Sequence, residues 1–150
     1  MKLKFLNTNK QLSFYLMKNA KLSSVPVLGD AVPAGFPSPA EDYLDMDLNL
    51  HDYLVRNPAA TFCVRVSGGS MVSADIKSGD VMVIDRALDP INNSIVLAVL
   101  NGEFTVKRIK KRANELYLIE DNEQYQPMKI TKDVDFQVWG VVTFIIHKAI

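Results

Sequence analysis

A chain of 150 residues and 16.8 kDa is long enough for one well-buried domain and too short for two comfortable ones. Its 48% hydrophobic and 23% charged residues are ordinary for a globular protein, and its one cysteine, Cys63, excludes a disulfide framework or a Cys-rich zinc site. The zero net charge hides an asymmetry: up to residue 34, five lysines face one acid (+4), while the remainder carries 12 basic and 16 acidic residues (−4).

A basic arm before an acidic body suggests docking of the arm on the body or on an acidic partner. A targeting peptide fits poorly, because the arm has no arginine and its apolar patch Phe14-Tyr15-Leu16-Met17 is too short for a signal core. Residues 1–24 show weak helical periodicity at most and no strong cap. Four prolines (Pro26, Pro33, Pro37 and Pro39) then make 22–40 an exposed, mostly extended segment rather than a helix or central strand. Ala34-Gly35 in its middle, among small residues with accessible backbone, has the character of a protease substrate; a plain linker has the same composition.

Residues 48–57, ending at Pro58, are predicted to hold a short helix with Leu50, Tyr53 and Leu54 on one face and Asn49 as its cap. After Pro58 the period changes to two. Strands are predicted at 61–67, 80–85, 94–100, 103–110, 115–120 and 134–146. Ser78-Gly79-Asp80, Asp89-Pro90, Asn101-Gly102 and Asp121-Asn122 supply turn signals, and Asn101-Gly102 in particular specifies a type I′ hairpin. Six short-linked strands with little helix make a mostly β body. His51 and His147 lie far apart without other ligand types nearby and read as surface or packing residues. Neither a metal nor a cofactor is expected.

The first predicted strand has Phe62, Val64 and Val66 on one face, Cys63 and Arg65 on the other, and runs into Ser67-Gly68-Gly69-Ser70-Met71. The glycines allow a sharp turn and free amide N–H groups, which suits a nucleophilic Ser70 with an oxyanion hole and also suits an ordinary loop. A serine needs a base. Lys107, in Glu103-Phe104-Thr105-Val106-Lys107-Arg108-Ile109, shares a face with Ile109 opposite Phe104 and Val106. A lysine desolvated in that way favours its neutral form and can take a hydroxyl proton. A solvated lysine in a basic strand has the same spacing, so the pattern leaves both open.

Five stretches together carry more than any one: Ala34-Gly35-Phe36-Pro37-Ser38-Pro39-Ala40; Ser67-Gly68-Gly69-Ser70-Met71; Ser78-Gly79-Asp80 with Val83-Ile84-Asp85; Gly102-Glu103-Phe104-Thr105-Val106-Lys107; and Val138-Trp139-Gly140-Val141-Val142. In this order, with Lys107 37 positions after Ser70 and a fitting segment from Asn122 to Pro127, the chain resembles the UmuD branch of the LexA/UmuD (S24-type) family of self-cleaving serine peptidases. Gly69 stands where the UmuD pattern usually has Asp, and Ala34 where it commonly has Cys, although LexA-type members have Ala-Gly.

The resemblance implies a compact LexA/UmuD-type peptidase body with several short strands and one short helix, preceded by an extended cleavable arm. It makes Ser70 the nucleophile, Lys107 the general base, the N–H groups of Gly69 and Ser70 the oxyanion hole, and Ala34–Gly35 the scissile bond. Residues 1–34 would be a flexible basic arm removed on cleavage, and 35–150 the β-rich peptidase and polymerase-accessory domain. It implies cleavage stimulated by the RecA–single-stranded-DNA filament in the SOS response. The product would be a homodimer serving a UmuC-like Y-family DNA polymerase in error-prone translesion synthesis. A 34-residue arm leaves no room for a helix-turn-helix domain, so sequence-specific DNA binding is not expected. With no apolar run near the ~20 residues that span a bilayer, the expected location is the cytoplasm, away from membranes. The competing functions are a trans-acting processing protease of the signal-peptidase kind, which also uses a Ser–Lys pair, and a non-catalytic polymerase-binding subunit.

Overall fold

The alternation that begins after Pro58 becomes a run of antiparallel strands in the computed structural model, which describes residues 2–8, 12–18, 25–28, 44–67, 76–119 and 126–150, and for those before 49 only the course of the strands. In chain order they are β1 (Lys2–Thr8), β2 (Leu12–Lys18), β3 (Val25–Leu28), β4 (Leu44–Leu48), the short helix α1 (Leu50–Leu54), and a 3-10 turn (Pro58–Ala60). There follow β5 (Thr61–Val66), β6 (Val81–Asp85), β7 (Ile95–Leu100), β8 (Glu103–Arg112), β9 (Glu115–Ile119), β10 (Met128–Lys129) and β11 (Phe136–Ile146). Among the described residues, nine strands make one sheet in the order β1-β2-β5-β6-β11-β7-β8-β9-β10, and β3 and β4 form a separate ribbon. The fold is mostly β, as expected.

Sequence periodicity places β5 to β9 and β11 within two residues of their observed ends. The local chemistry explains why. Asn49 caps α1, its side chain accepting from the Asp52 N–H at 3.1 Å. Asn101 (φ 49°) and Gly102 (φ 83°) both take the left-handed conformation that a two-residue hairpin requires, and Leu100 faces Glu103 across the turn. The β8–β9 hairpin has no such signal, since Ala113 enters the left-handed region (φ 52°) without help from glycine.

β7, Ile-Val-Leu-Ala-Val-Leu, lacks polar alternation because it is covered on both faces. Leu97 joins Val64, Val66, Met82, Ile84 and Val106 on one side; Val96 and Ala98 join Ile109, Leu118 and Val141 on the other. Each fully buried aliphatic side chain contributes roughly 1.5–3 kcal/mol. β11 ties the halves together, pairing with β6 on one side and β7 on the other. Its irregularity between Val138 and Gly140 sets Trp139 edge-on to Phe104 (5.0 Å between ring centres) and beneath the Arg86 guanidinium at 4.5 Å. Gly140 permits the close approach of β11 to β6: a β-carbon there would lie 2.5 Å from Ile84 Cγ2.

Residues 1–24, whose sequence shows weak helical periodicity at most, contain two strands that the pattern did not predict. β1 and β2 form an antiparallel hairpin, and β2 continues the main sheet, with Leu12 opposite Val66 and Leu16 opposite Phe62. A strand paired with a partner about 50 residues away leaves little trace in local helical periodicity. Pro26 lies in β3, which among the described residues pairs with β4 alone, in keeping with exclusion of 22–40 from a central strand.

Candidate active site

β5 delivers the chain to the predicted nucleophile. Phe62, Val64 and Val66 are buried in one cluster, while Arg65 is exposed. Cys63 points the other way and is buried too; burial pushes its thiol up to about 11, so at neutral pH it stays protonated and is no nucleophile. Ser70, Gly69, Ala34 and Gly35 lie outside the described residues, as does the predicted turn at Asp121-Asn122.

What is described is the foot of the segment that carries Ser70. The Val66 N–H donates to the Asp80 carbonyl (2.9 Å) and the Gly79 N–H to the Val66 carbonyl (2.7 Å), so 67–79 is an excursion whose two ends are bonded together. Ile76 is buried in the same cluster as Val66. The Lys77–Asp80 turn closes with the Asp80 N–H donating to the Lys77 carbonyl at 3.0 Å, and Gly79 supplies the positive φ (93°) it needs.

Asp80 is buried, with a relative exposure of 1%. Its Oδ2 accepts from the Lys77 N–H at 2.8 Å, and its Oδ1 lies 2.7 Å from His147 Nδ1. Burial raises its pKa, but the Lys77 N–H and the His147 ring together outweigh that and hold the carboxyl below the usual range. An ionised carboxylate only accepts, so His147 Nδ1 carries the hydrogen. By spacing alone Asp80 reads as a turn residue and His147 as a surface or packing residue. A signal for Asp80 was present: it is in phase with Met82 and Ile84, both fully buried, and an acid on that face must find partners.

Lys107 lies in the middle of β8, half-buried, directly opposite Val96. Alternation holds as read: Phe104 and Val106 belong to the cluster containing Leu97, and Ile109 to the one containing Val96. Lys107 lies in the half of β8 that pairs with β7, and the pairing with β9 starts at the next residue, Arg108. Downstream, Arg108 donates to the Asn93 carbonyl and Lys111 Nζ to that of Pro90. His51 lies on α1, 3.6 Å from Asp52, away from these residues in the chain. Among the described residues no group of three or more His, Cys, Asp or Glu is placed to hold a metal, and no helix is long and apolar enough to cross a membrane.

Residues 26–143 match the Peptidase S24-like family. Protein SamA of Salmonella typhimurium is 44% identical over 126 residues, covering 84% of this chain and 87% of that protein. Protein MucA of Escherichia coli is 43% identical over 125 residues, 83% and 85% of the two chains. LexA repressor 2 of Pseudomonas syringae is 35% identical over 129 residues, which are 85% of this chain and 62% of the repressor. The resemblance read from the five motifs stands.

Proposed function

This chain belongs to the Peptidase S24-like family, and from that premise we propose that it cuts its own Ala34–Gly35 bond with a Ser70–Lys107 dyad. The observation that carries the reading is the family match over residues 26–143, which spans the proposed bond, nucleophile and base in one stretch. Neutral Lys107 Nζ accepts the Ser70 hydroxyl proton as Oγ bonds to the Ala34 carbonyl carbon. The Gly69 and Ser70 N–H groups stabilise the oxyanion. The C–N bond to Gly35 breaks, Lys107 passes its proton to the leaving amine, and water releases Ala34 from the serine ester. Carrying substrate and nucleophile on one chain raises their effective concentration, so regulation acts through docking geometry.

The family resemblance extends the proposal to cellular context. Contact with the RecA–single-stranded-DNA filament favours the cleavable state in the SOS response. Cleavage removes 1–34 and leaves 35–150 as a homodimeric accessory subunit of a UmuC-like Y-family translesion polymerase in the cytoplasm. It also shifts the net charge from 0 to −4. Incubation of the purified protein at rising pH, followed by intact mass, tests the chemistry. Loss of residues 1–34, absent in Ser70→Ala, is the expected result. An intact mass throughout in a folded protein would favour a non-catalytic binding subunit, and cleavage of an added secretory peptide would favour a trans-acting protease.

A further inference from the structure

We propose that Asp80 and His147 act as a positioning pair for self-cleavage, fixing the foot of the 67–79 excursion against the strand that also sets the register of Lys107. The inference rests on the Ser70–Lys107 reading. Asp80 is joined to both ends of the foot: its carbonyl accepts from the Val66 N–H, and its Oδ2 accepts from the Lys77 N–H. Its Oδ1 reaches out of this unit to His147, the first residue beyond β11.

The connection leads to the other half of the dyad. On β11, Val141 lies opposite Val96 of β7, and Val96 lies opposite Lys107 of β8. Six residues along β11 from Val141 comes His147. Asp80 and His147 thus meet at the end of β11, and β11 is in turn paired in register through β7 with the strand that carries Lys107. The turn at 77–80 already has its own backbone closure between Asp80 and Lys77. Burying a carboxylate is costly unless it is well paired. The side-chain bond to His147 carries the β6–β11 pairing one residue past its last backbone pair, Val81 opposite Ile146, and so holds the turn itself to β11. His147 is half-exposed and packs no core, but it partners a buried carboxylate, so stability is followed beside cleavage to separate placement from folding.

The full-length protein tests this through first-order cleavage at Ala34–Gly35 across an alkaline pH series, with thermal unfolding measured on the same samples. His147→Ala is expected to lower the maximal rate constant about ten- to a hundredfold, the scale for a small misplacement of reacting groups. The pH at half-maximal rate should stay put, because the base is unchanged. His147→Asn, which places an amide donor near the position of Nδ1, should restore most of the rate. Wild-type rates in His147→Ala would overturn the proposal while leaving the dyad intact. A loss that tracks the unfolded fraction and resists His147→Asn would also overturn it, by showing a structural role alone. If the wild type itself stays uncut, the dyad reading fails and takes this inference with it.

Discussion

The strand that carries Lys107 and the foot of the excursion that carries Ser70 are held in opposite ways. β8 is held by a continuous run of backbone pairs, to β7 from Glu103–Leu100 to Arg108–Ile95 and to β9 from Arg108–Ile119 to Arg112–Glu115. Its position is shared among many equivalent bonds, and no one side chain is indispensable to it. The foot has two cross-bonds between Val66 and residues 79–80, and the Asp80 carboxylate adds bonds to the Lys77 N–H and to His147, one residue past the last β6–β11 pair, Val81 opposite Ile146. A ladder tolerates change at one position, whereas a clamp built on one side chain does not. The proposed dyad thus joins a robust half to a sensitive half.

Substitutions separate the two. The largest effect is expected for Lys107→Met, which keeps the length of the side chain and removes its base. Cleavage should fall by roughly 10²–10⁴-fold, the usual contribution of general base catalysis, with the unfolding midpoint nearly unchanged because the ladder holds β8. Single-turnover mass spectrometry and calorimetry on one preparation check both halves of that statement. Gly140→Ala strikes the strand that both halves share. Its methyl group would meet Ile84 Cγ2 and, at 3.2 Å, the Asp85 carbonyl. A loss of about 1–3 kcal/mol in denaturant titration is expected, within the range for overpacking.

Asp80→Asn probes the clamp through pH. A carboxyl with a folded-state pKa below its unfolded value stabilises the fold above roughly pH 4, and that contribution is lost as pH falls through the folded-state value. The wild type should therefore lose stability on acidification below about pH 4, and Asp80→Asn should show a shallower acid limb in unfolding titrations. An unchanged limb would show that other carboxylates govern acid stability. The smallest effect is expected at Gly102→Ala, where a β-carbon meets open space but the backbone is left-handed. About 1 kcal/mol of destabilisation, read by chemical denaturation, is the ordinary cost of that conformation.

The same contrast explains what the sequence made legible. Strands β5 to β9 and β11 follow from period-two patterning and from turns such as Asn101-Gly102, because each signal lies within a few residues of the structure it specifies. The face assignment of Lys107 follows from simple alternation. The pairing of β2 with β5 was not legible, since its partners lie about 50 residues apart. Nor was the link between Asp80 and His147, 67 residues apart, although the burial of Asp80 follows from its phase with Met82 and Ile84. Local chemistry writes itself into spacing; a contact between distant segments depends on how the sheet is ordered, and spacing does not encode that order. The five motifs point to a peptidase because they combine such distant pieces at fixed intervals.

The central claim is that the excursion after β5 brings Ser70 to Lys107. The most direct measurement uses Ser70→Cys with Lys107→Cys in a Cys63→Ala background, treated with a dibromobimane that fluoresces only when both ends have reacted. Bridging in the folded double variant, absent from each single variant and lost on denaturation in dilute solution, is the predicted result. A folded double variant whose two thiols each react with a monofunctional reagent but are never bridged would contradict it.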